Sequence, residues 1–497
     1  MVKFIKKNWL FLLFVIPFIL VCINNKRPDN DIWFLLNNGR YVLEHGIPHI
    51  DPFTIHEGLN YVMQQWGASV IFFGMYKFLG KYGLLIIIYV ITIAIMYAIY
   101  KLCYIVSNSK EKAIIIVTVA SILIVDAIVL RPQIFTYLIL ILELLLLELY
   151  VKKDNSKYLY VLPFLSILLI NLHASMWWFQ FVFMLPFLLN TIKIKKITID
   201  RVRLKPLIIV MILMFIGGFI NPYGYEAITF IFKSYGLSTI NKMVNEMKEP
   251  FFSRISFKII LSLILLLITV CVFSKKAKMD VRHFLFICGV TMLAFMHIKC
   301  YPYFIFVYAY CFAYLIKDIK FKLKIKNKYL LSFSRGIIMS CSVCLIISFV
   351  FVIYVLTTNY NFGSVYIGET SNYLVEHYDL DKIILFTDFD YGGYTEFLGI
   401  KSYIDGRAEL FYKKSNGKDD ILDEYYYLLY NDAKGDFKSF VDKYNFTHLI
   451  IDCYRNTNFD EYLATDDRYE VVYIEYFDEN DKESEFRKIY ALKNLRS

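Results

Sequence analysis

The stretch DNDIWFLLNNGRYVLEHGIPHIDPFTIHEGLNYVMQQW, residues Asp29 to Trp66, is the longest polar interruption near the start of an otherwise apolar chain. Aromatic and aliphatic residues recur at helical spacing from Ile32 to Val42, and Gly46 and Pro52 then mark a turn. The pattern predicts a short interfacial helix, a turn and a second approach to a bilayer. We therefore interpret residues 25–66 as the first outer loop of a membrane protein.

The composition of the whole chain agrees with that interpretation. Of 497 residues, 58% are hydrophobic and only 20% are charged, and the mean hydropathy is +0.49, which is typical of a polytopic membrane protein. The net charge of +10 is uneven: residues from 358 onward hold 16 Lys/Arg against 28 Asp/Glu, or −12, and the preceding residues, with 38 against 16, carry +22. Because the positive charge lies in the membrane part, no nucleic-acid partner is expected.

Apolar runs predict about 11 transmembrane helices, the first of which is retained because no small-residue cleavage site follows it. The predicted spans are residues 9–23, 83–106, 112–130, 133–150, 158–172, 174–190, 206–221, 256–273, 283–297, 301–316 and 334–357. Most Lys and Arg residues then fall on one side, as the positive-inside rule requires. We predict a multi-pass protein of the plasma membrane, with a cytoplasmic N-terminus.

The acidic tail has the pattern of a small α/β domain outside the cytoplasm. The predicted strands are Lys382–Thr387, Lys401–Ile404, His448–Asp452 and Glu470–Phe477, and the predicted helices are Asp420–Tyr430 and Asp436–Tyr444. The predicted domains are therefore a multi-span membrane domain, 1–357, and an extracytoplasmic domain, 358–497.

Asp29 and Asp31 stand at the mouth of the first predicted span, where an ionisable group is costly and is usually kept for a purpose. Asp31 is the leading candidate for catalysis. The Asp-x-Asp spacing could also present both carboxylates to a divalent cation such as Mg²⁺ or Mn²⁺. The simpler alternative is that Asp29 caps a helix.

The predicted topology places four further polar residues on the same outer surface: Arg131, His173, His297 and Lys299. Cations beside a carboxylate suit a reaction in which a phosphate leaves and a hydroxyl group is deprotonated. The alternative is that such residues only extend to the membrane interface from the ends of spans.

Two short motifs mark the tail. Gly392 and Gly393 follow a predicted strand without the GxGxxG pattern or a P-loop lysine, which favours a strand-to-helix turn that needs permissive glycines. Asp405 and Arg407 flank a glycine in a tight turn, and the simplest interpretation is that they pair with each other.

Several motifs together resemble those of GT-C type membrane glycosyltransferases, in particular the bacterial relatives of dolichyl-phosphate-mannose mannosyltransferases. They are Asp31-Ile32-Trp33, Gly39-Arg40, Glu44-His45-Gly46-Ile47-Pro48, Asp51-Pro52-Phe53, Gln65-Trp66, Arg131-Pro132-Gln133, Asn171-Leu172-His173, Asn221-Pro222-Tyr223-Gly224, Gly392-Gly393-Tyr394 and Asp405-Gly406-Arg407-Ala408-Glu409-Leu410. The resemblance covers most of the chain, although each motif is short.

The resemblance implies an inverting enzyme that moves a sugar from a polyprenyl-phosphate donor to a glycan, lipid or protein acceptor on the outer face. Asp31 would match the loop acid that acts as base or orients the acceptor. Relatives often have a histidine shortly after the tryptophan, where this chain has Phe34-Leu35-Leu36, so Lys299 or Arg131 would have to bind the donor phosphate instead. The alternative function is a non-catalytic flippase of lipid-linked glycans or an assembly scaffold for the envelope.

Overall fold

The protein is mainly helical, with one small sheet near its C-terminus. The computed structural model describes residues 13–25, 29–192, 198–200, 202–234, 238–243, 248, 254–319, 367–430, 436–476 and 485–493. The predicted span 334–357 and the predicted domain boundary at its end lie outside these ranges. The chain divides into two compact units: the first comprises Met1–Lys26, Leu79–Ile228 and Val244–Tyr360, and the second comprises Arg27–Phe78, Thr229–Met243 and Asn361–Ser497.

The α-helices of the described residues are numbered here in chain order. They are α1 (Val15–Asn24), α2 (Asp31–His45), α3 (Trp66–Leu79), α4 (Lys81–Ser107), α5 (Lys110–Leu123), α6 (Gln133–Lys153), α7 (Leu162–Leu172), α8 (Trp178–Leu189), α9 (Leu204–Gly217), α10 (Tyr225–Ser234), α11 (Ser238–Met243), α12 (Ile255–Phe273), α13 (Val281–Met296), α14 (Tyr301–Leu315), α15 (Gly368–His377), α16 (Gly392–Phe397), α17 (Lys413–Asn416), α18 (Ile421–Leu429), α19 (Phe437–Tyr444) and α20 (Thr457–Thr465).

Four helices among the described residues are long and apolar enough to cross a membrane: α4, α6, α12 and the segment Ile298–Leu315, which contains α14. The predicted count of about 11 spans is therefore not supported. A helix rises 1.5 Å per residue, so a core of about 30 Å needs roughly 20 residues. The other apolar helices are shorter than this, with 10–17 residues.

The shorter helices end where the backbone changes conformation inside a hydrophobic run. Helix α5 starts at a Ser109 cap, whose side chain accepts the N–H of Lys112, and ends at Leu123 before the 3-10 helix Val125–Ala127. That break falls inside the predicted span 112–130. Hydropathy alone cannot detect it, because every residue around the break remains apolar or small except one acid.

A buried ion cluster ties three helices of the first unit together. The carboxylate of Glu148 in α6 accepts a hydrogen bond of 2.8 Å from Arg282 Nε in α13 and another from the hydroxyl of Tyr310 in α14. Arg282 also pairs with Asp280, and all four side chains are buried. Removing one partner of such a cluster leaves an uncompensated charge in the interior, so its members depend on one another.

The sheet of the second unit has four strands, β1 (Leu385–Phe386), β2 (His448–Asp452), β3 (Tyr469–Tyr476) and β4 (Glu485–Leu492), in the order β1-β2-β4-β3. Strands β1 and β2 are parallel, with Leu385 opposite His448, and the other two pairings are antiparallel. The prediction for β2 is confirmed, and those for β3, α18 and α19 are right to within a residue over the described positions.

Of the predicted strand Lys382–Thr387, only Leu385–Phe386 forms a strand, and Lys382 ends a 3-10 helix. A second predicted strand is wrong, and one strand was missed. The segment Lys401–Ile404 does not form a strand of the sheet: only Ser402 forms isolated bridges, to Thr54 and to Leu385. Strand β4 was not predicted at all. Its charged Arg487 and Lys488 interrupt the alternation of apolar and polar residues from which strands are recognised.

The first loop belongs to the second unit and is joined to the tail by backbone hydrogen bonds. Helix α2 confirms the predicted helix from Ile32 to Val42. After it, the Ile55 N–H donates to the Ser402 carbonyl at 3.0 Å, and the Asn60 N–H donates to the Asn416 carbonyl at 3.0 Å. The loop is thus an integral part of this unit.

Candidate functional site

Asp31 is the first residue of α2 and is half-buried. The side chain of Asp29 accepts the backbone N–H of Asp31 at 3.1 Å. An acid that accepts an N–H in the first turn satisfies a donor for which the helix has no partner. Asp29 therefore bonds to the first residue of the helix from outside it, whereas the N-cap residue is Asn30, whose side chain makes no capping hydrogen bond.

Three glycines let backbones approach α2 and its surroundings closely. A Cβ atom at Gly406 would lie 3.1 Å from Asp31 Oδ1, and one at Gly393 would lie 3.2 Å from Phe34 Cβ. At Gly392 it would lie 1.9 Å from the Ile404 carbonyl oxygen, which is an impossible contact. Asp31 and Phe34 of α2 therefore lie against both tail motifs, the one at Gly392-Gly393 and the one at Gly406.

The role predicted for Gly392 and Gly393 needs a correction. We predicted that the strand-to-helix turn requires their conformational freedom, but neither residue has a positive φ. Both lie at the start of α16, in ordinary helical backbone. These positions need glycine because of the space that a side chain would occupy.

Helix α16 packs on α2 through aromatic side chains. The Trp33 ring meets the Tyr394 ring edge to face, with centroids 4.8 Å apart, and lies 5.4 Å from the Phe397 ring. The Arg40 guanidinium donates to the Phe397 carbonyl at 3.0 Å. These contacts fix the first turn of α2, and with it Asp31, relative to the tail.

Behind this contact lies a cluster of one cation and three carboxylates, all buried: Arg407, Asp51, Asp405 and Glu396. Arg407 donates to Asp51 at 2.5 Å and to Glu396 at 3.2 Å. It also pairs with Asp405, its predicted partner, through a bond of 2.7 Å from Nε and a second bond from the terminal guanidinium nitrogen. Since Asp51 belongs to the first loop, the cluster joins the loop to the tail.

Burial and charge set the protonation of this cluster. Burial, together with the charge of Asp405, raises the pKa of Glu396 well above its ordinary value, so a proton on Glu396 relieves the excess of negative charge. Burial opposes the charge of Arg407, but Asp405, Asp51 and Glu396 raise its pKa further above its ordinary value. Arg407 therefore stays charged and holds the loop acid Asp51.

The other predicted residues, Arg131, His173, His297 and Lys299, belong to the first unit. His173 is buried and its Nδ1 lies 2.8 Å from the Thr136 hydroxyl at the start of α6. The Lys299 ammonium is close enough to His173 to interact with it electrostatically. The structure thus brings His173 and Lys299 together.

Arg131 lies at the start of α6, just before Pro132, and His297 lies at the end of α13. Both stand at helix ends, as predicted.

Among the described residues, no group of three or more His, Cys, Asp or Glu side chains could hold a metal ion. The predicted pair, Asp29 and Asp31, is smaller than such a group, so a cation held by these two carboxylates stays a prediction. One Asp29 oxygen accepts the Asp31 N–H at 3.1 Å.

Sequence reasoning missed Asp51 and Glu396 as partners of Arg407. In the sequence, Asp51 belongs to the Asp51-Pro52-Phe53 turn, and no local pattern relates it to Arg407, which lies 356 positions away. A search of protein-family models and a search of curated proteins find no match to this chain. The functional conclusion therefore depends on the arrangement of these residues.

Proposed function

We propose that the protein is a membrane glycosyltransferase of the GT-C type. It would transfer a sugar from a polyprenyl-phosphate donor to a glycan, lipid or protein acceptor outside the cytoplasm. The observation that carries the proposal is the position of Asp31. The acid starts a helix that is packed against the tail, and its carboxylate lies against the Gly406 turn beside the buried Arg407 cluster. A general base needs such a fixed position to abstract a proton efficiently.

In the proposed reaction, the acceptor oxygen attacks the anomeric carbon of the donor sugar. The bond between that carbon and the phosphate oxygen breaks, and the electron pair leaves with the phosphate. Asp31 takes the proton of the acceptor hydroxyl, and the new glycosidic bond has inverted configuration.

The candidate groups for the donor phosphate are the cations of the first unit. Lys299 and His173 lie near one another, and Arg131 and His297 stand at helix ends. Positive side chains stabilise the negative charge that develops on a departing phosphate. Lys299 is the leading candidate because the expected loop histidine is replaced by Phe34-Leu35-Leu36.

The location follows from the same proposal. Four helices in the part of the chain that the structure describes are long and apolar enough to cross a membrane. The basic segments between apolar runs favour a plasma-membrane protein with a cytoplasmic N-terminus and an extracytoplasmic tail. The acceptor would then be a component of the cell envelope.

The test is transfer of labelled sugar from a panel of polyprenyl-phosphate sugars in proteoliposomes, with lipid extracts as acceptors. We expect Asp31→Asn to lower turnover by about 10²–10⁴-fold, the contribution of a positioned base. Asp29→Asn is the matched control, because it changes a neighbouring acid that takes no proton in the proposed reaction. Equal turnover in wild type and Asp31→Asn would remove Asp31 from the reaction, and no turnover by folded wild type with any donor would refute the transferase.

A transport role is the second candidate, and one residue favours it. Glu143 is fully buried in the middle of α6, a helix of membrane-spanning length, with Gln180 of α8 beside it. An acid in such a position is costly and often marks a pathway. Lipid-linked glycan movement that is lost in Glu143→Gln but kept in Asp31→Asn would favour a flippase.

A further inference from the structure

A second polar site lies where the two parallel strands of the sheet end. Asp388 follows β1 by two residues, and Asp452 is the last residue of β2. Because β1 and β2 are parallel neighbours, their carboxyl ends meet at one edge of the sheet. In open sheets of this kind, ligands bind in the crevice outside the carboxyl ends of the strands.

Several polar atoms at this edge are buried without a partner. Asp388 Oδ1 accepts from the Tyr425 hydroxyl at 3.0 Å and from Asn456 Nδ2 at 2.8 Å. Asp388 Oδ2, Asn456 Oδ1 and Arg487 Nε have no hydrogen-bond partner among the described residues, although each of these side chains is at least nine-tenths buried. An unsatisfied buried polar atom costs about 1–3 kcal/mol, so a bound group that satisfies it gains that energy.

A weak, half-exposed ion pair joins the loops that follow the two strands. Arg455 and Asp390, from the loops after β2 and β1, form an ion pair of 3.2 Å, and about half of each side chain is exposed. Exposed pairs of this kind contribute about 0–1 kcal/mol. A ligand can therefore displace the pair at little cost, and its displacement frees two side chains in the loops that also carry Asp388 and follow Asp452.

The chemistry of the edge selects the class of ligand. The edge holds three carboxylates, Asp388, Asp390 and Asp452, against the two cations Arg455 and Arg487, and this excess of negative charge disfavours an anion. The described residues offer no three-ligand metal site. The unsatisfied atoms are two acceptors and one donor. Hydroxyl groups both donate and accept hydrogen bonds, so they can satisfy this mixture.

The pKa of Asp388 also favours a ligand with hydroxyl groups. Burial raises the pKa of Asp388 to about 6. Above that pH the ionised carboxylate offers its unsatisfied Oδ2 as an acceptor to a hydroxyl group.

We propose that this edge of the sheet, formed by Asp388, Asp452, Asn456 and Arg487, binds vicinal hydroxyl groups of a neutral carbohydrate. The proposal goes beyond the transferase, since it concerns binding by the second unit alone and requires no sugar transfer. Such a site would hold a glycan near the tail without taking part in bond formation.

The experiment measures binding of chitotetraose, mannotetraose and maltotetraose to the full-length protein in nanodiscs by isothermal titration calorimetry. We expect wild type to bind at least one of them and Asp388→Asn to raise its Kd about tenfold or more, because an acceptor is replaced by a donor. Asp390→Asn, on the exposed ion pair, is the matched control and should bind at least as well as wild type.

A second variant covers the case in which Asp388→Asn does not fold. Arg455→Trp changes an exposed position and places a larger side chain over the edge, so it should abolish binding. Unchanged binding in both variants, or no binding of any probe by folded wild type, would overturn the proposal. Asp31→Asn should bind like wild type, so a failure of the transferase is distinguishable from a failure of this site.

Discussion

The buried cluster around Arg407 offers the sharpest test of how the second unit is held together. Arg407→Met keeps an unbranched side chain as far as the position of Nε but leaves Asp51, Asp405 and Glu396 without their cation. Removing one partner of a buried ion pair typically costs about 3–5 kcal/mol. Because both Asp51 and Asp405 would keep an uncompensated buried charge, we expect a loss of stability in the upper part of this range. The loss should shrink as pH falls, because protonation removes the uncompensated charges.

Hydrogen exchange measures this loss at a defined place. The amide groups of Ile55 and Asn60 bond to the tail, so they exchange when the loop separates from it. A cost of 3–5 kcal/mol corresponds to opening that is about 10²–10³-fold or more frequent. Arg455→Met, at a half-exposed pair, is the control and should change exchange less than about fivefold. Acceleration below tenfold in Arg407→Met, or equal acceleration in both variants, would refute the structural role of the cluster.

Two further predictions concern stability. Gly392→Ala would place a Cβ atom 1.9 Å from the Ile404 carbonyl oxygen and should destabilise the protein by about 3 kcal/mol or more. Gly74→Ala is the control, because a Cβ atom there would have nothing within 4 Å, and it should not destabilise the protein. Thermal unfolding compares the two variants, and equal melting temperatures would contradict the close contact at Gly392. Because the pKa of Asp388 is raised to about 6, its stabilising contribution is complete below its ordinary value of 3.8 and is lost as pH rises through 6. Asp388→Asn should therefore flatten the pH dependence of urea unfolding in that window, and an unchanged profile would count against the assignment.

Elements with a clear period could be predicted from the sequence. The spacing from Ile32 to Val42 led to α2, and the run His448–Asp452 led to β2. Membrane spans were harder because hydropathy reports that a run is apolar but not where its helix breaks. Strand β4 could not be predicted because its Arg487 is a charged residue at a buried position. An ion pair with Glu475 makes that burial possible, and no local pattern in the sequence predicts such a pair.

The candidate site was predictable only in part. Asp405 and Arg407 are two residues apart, so their pairing could be foreseen from the chain itself. The contributions of Asp51 and Glu396 depend on folding that joins distant segments. The sequence predicted a glycine at position 392 for its dihedral angles. The structure requires it for another reason, because a side chain there would collide with the Ile404 carbonyl oxygen, and such packing cannot be predicted from the local sequence.

The separation of Asp51 from Arg407 by 356 residues also sets the order in which the protein matures. At about 5–20 residues per second, the ribosome needs roughly 20–70 s to synthesise the intervening chain. During that time the newly made first loop lacks the surface that covers Trp33 and neutralises Asp51. A nascent chain that stops before the tail would leave that loop exposed to proteases, so completion of synthesis becomes the step that protects it.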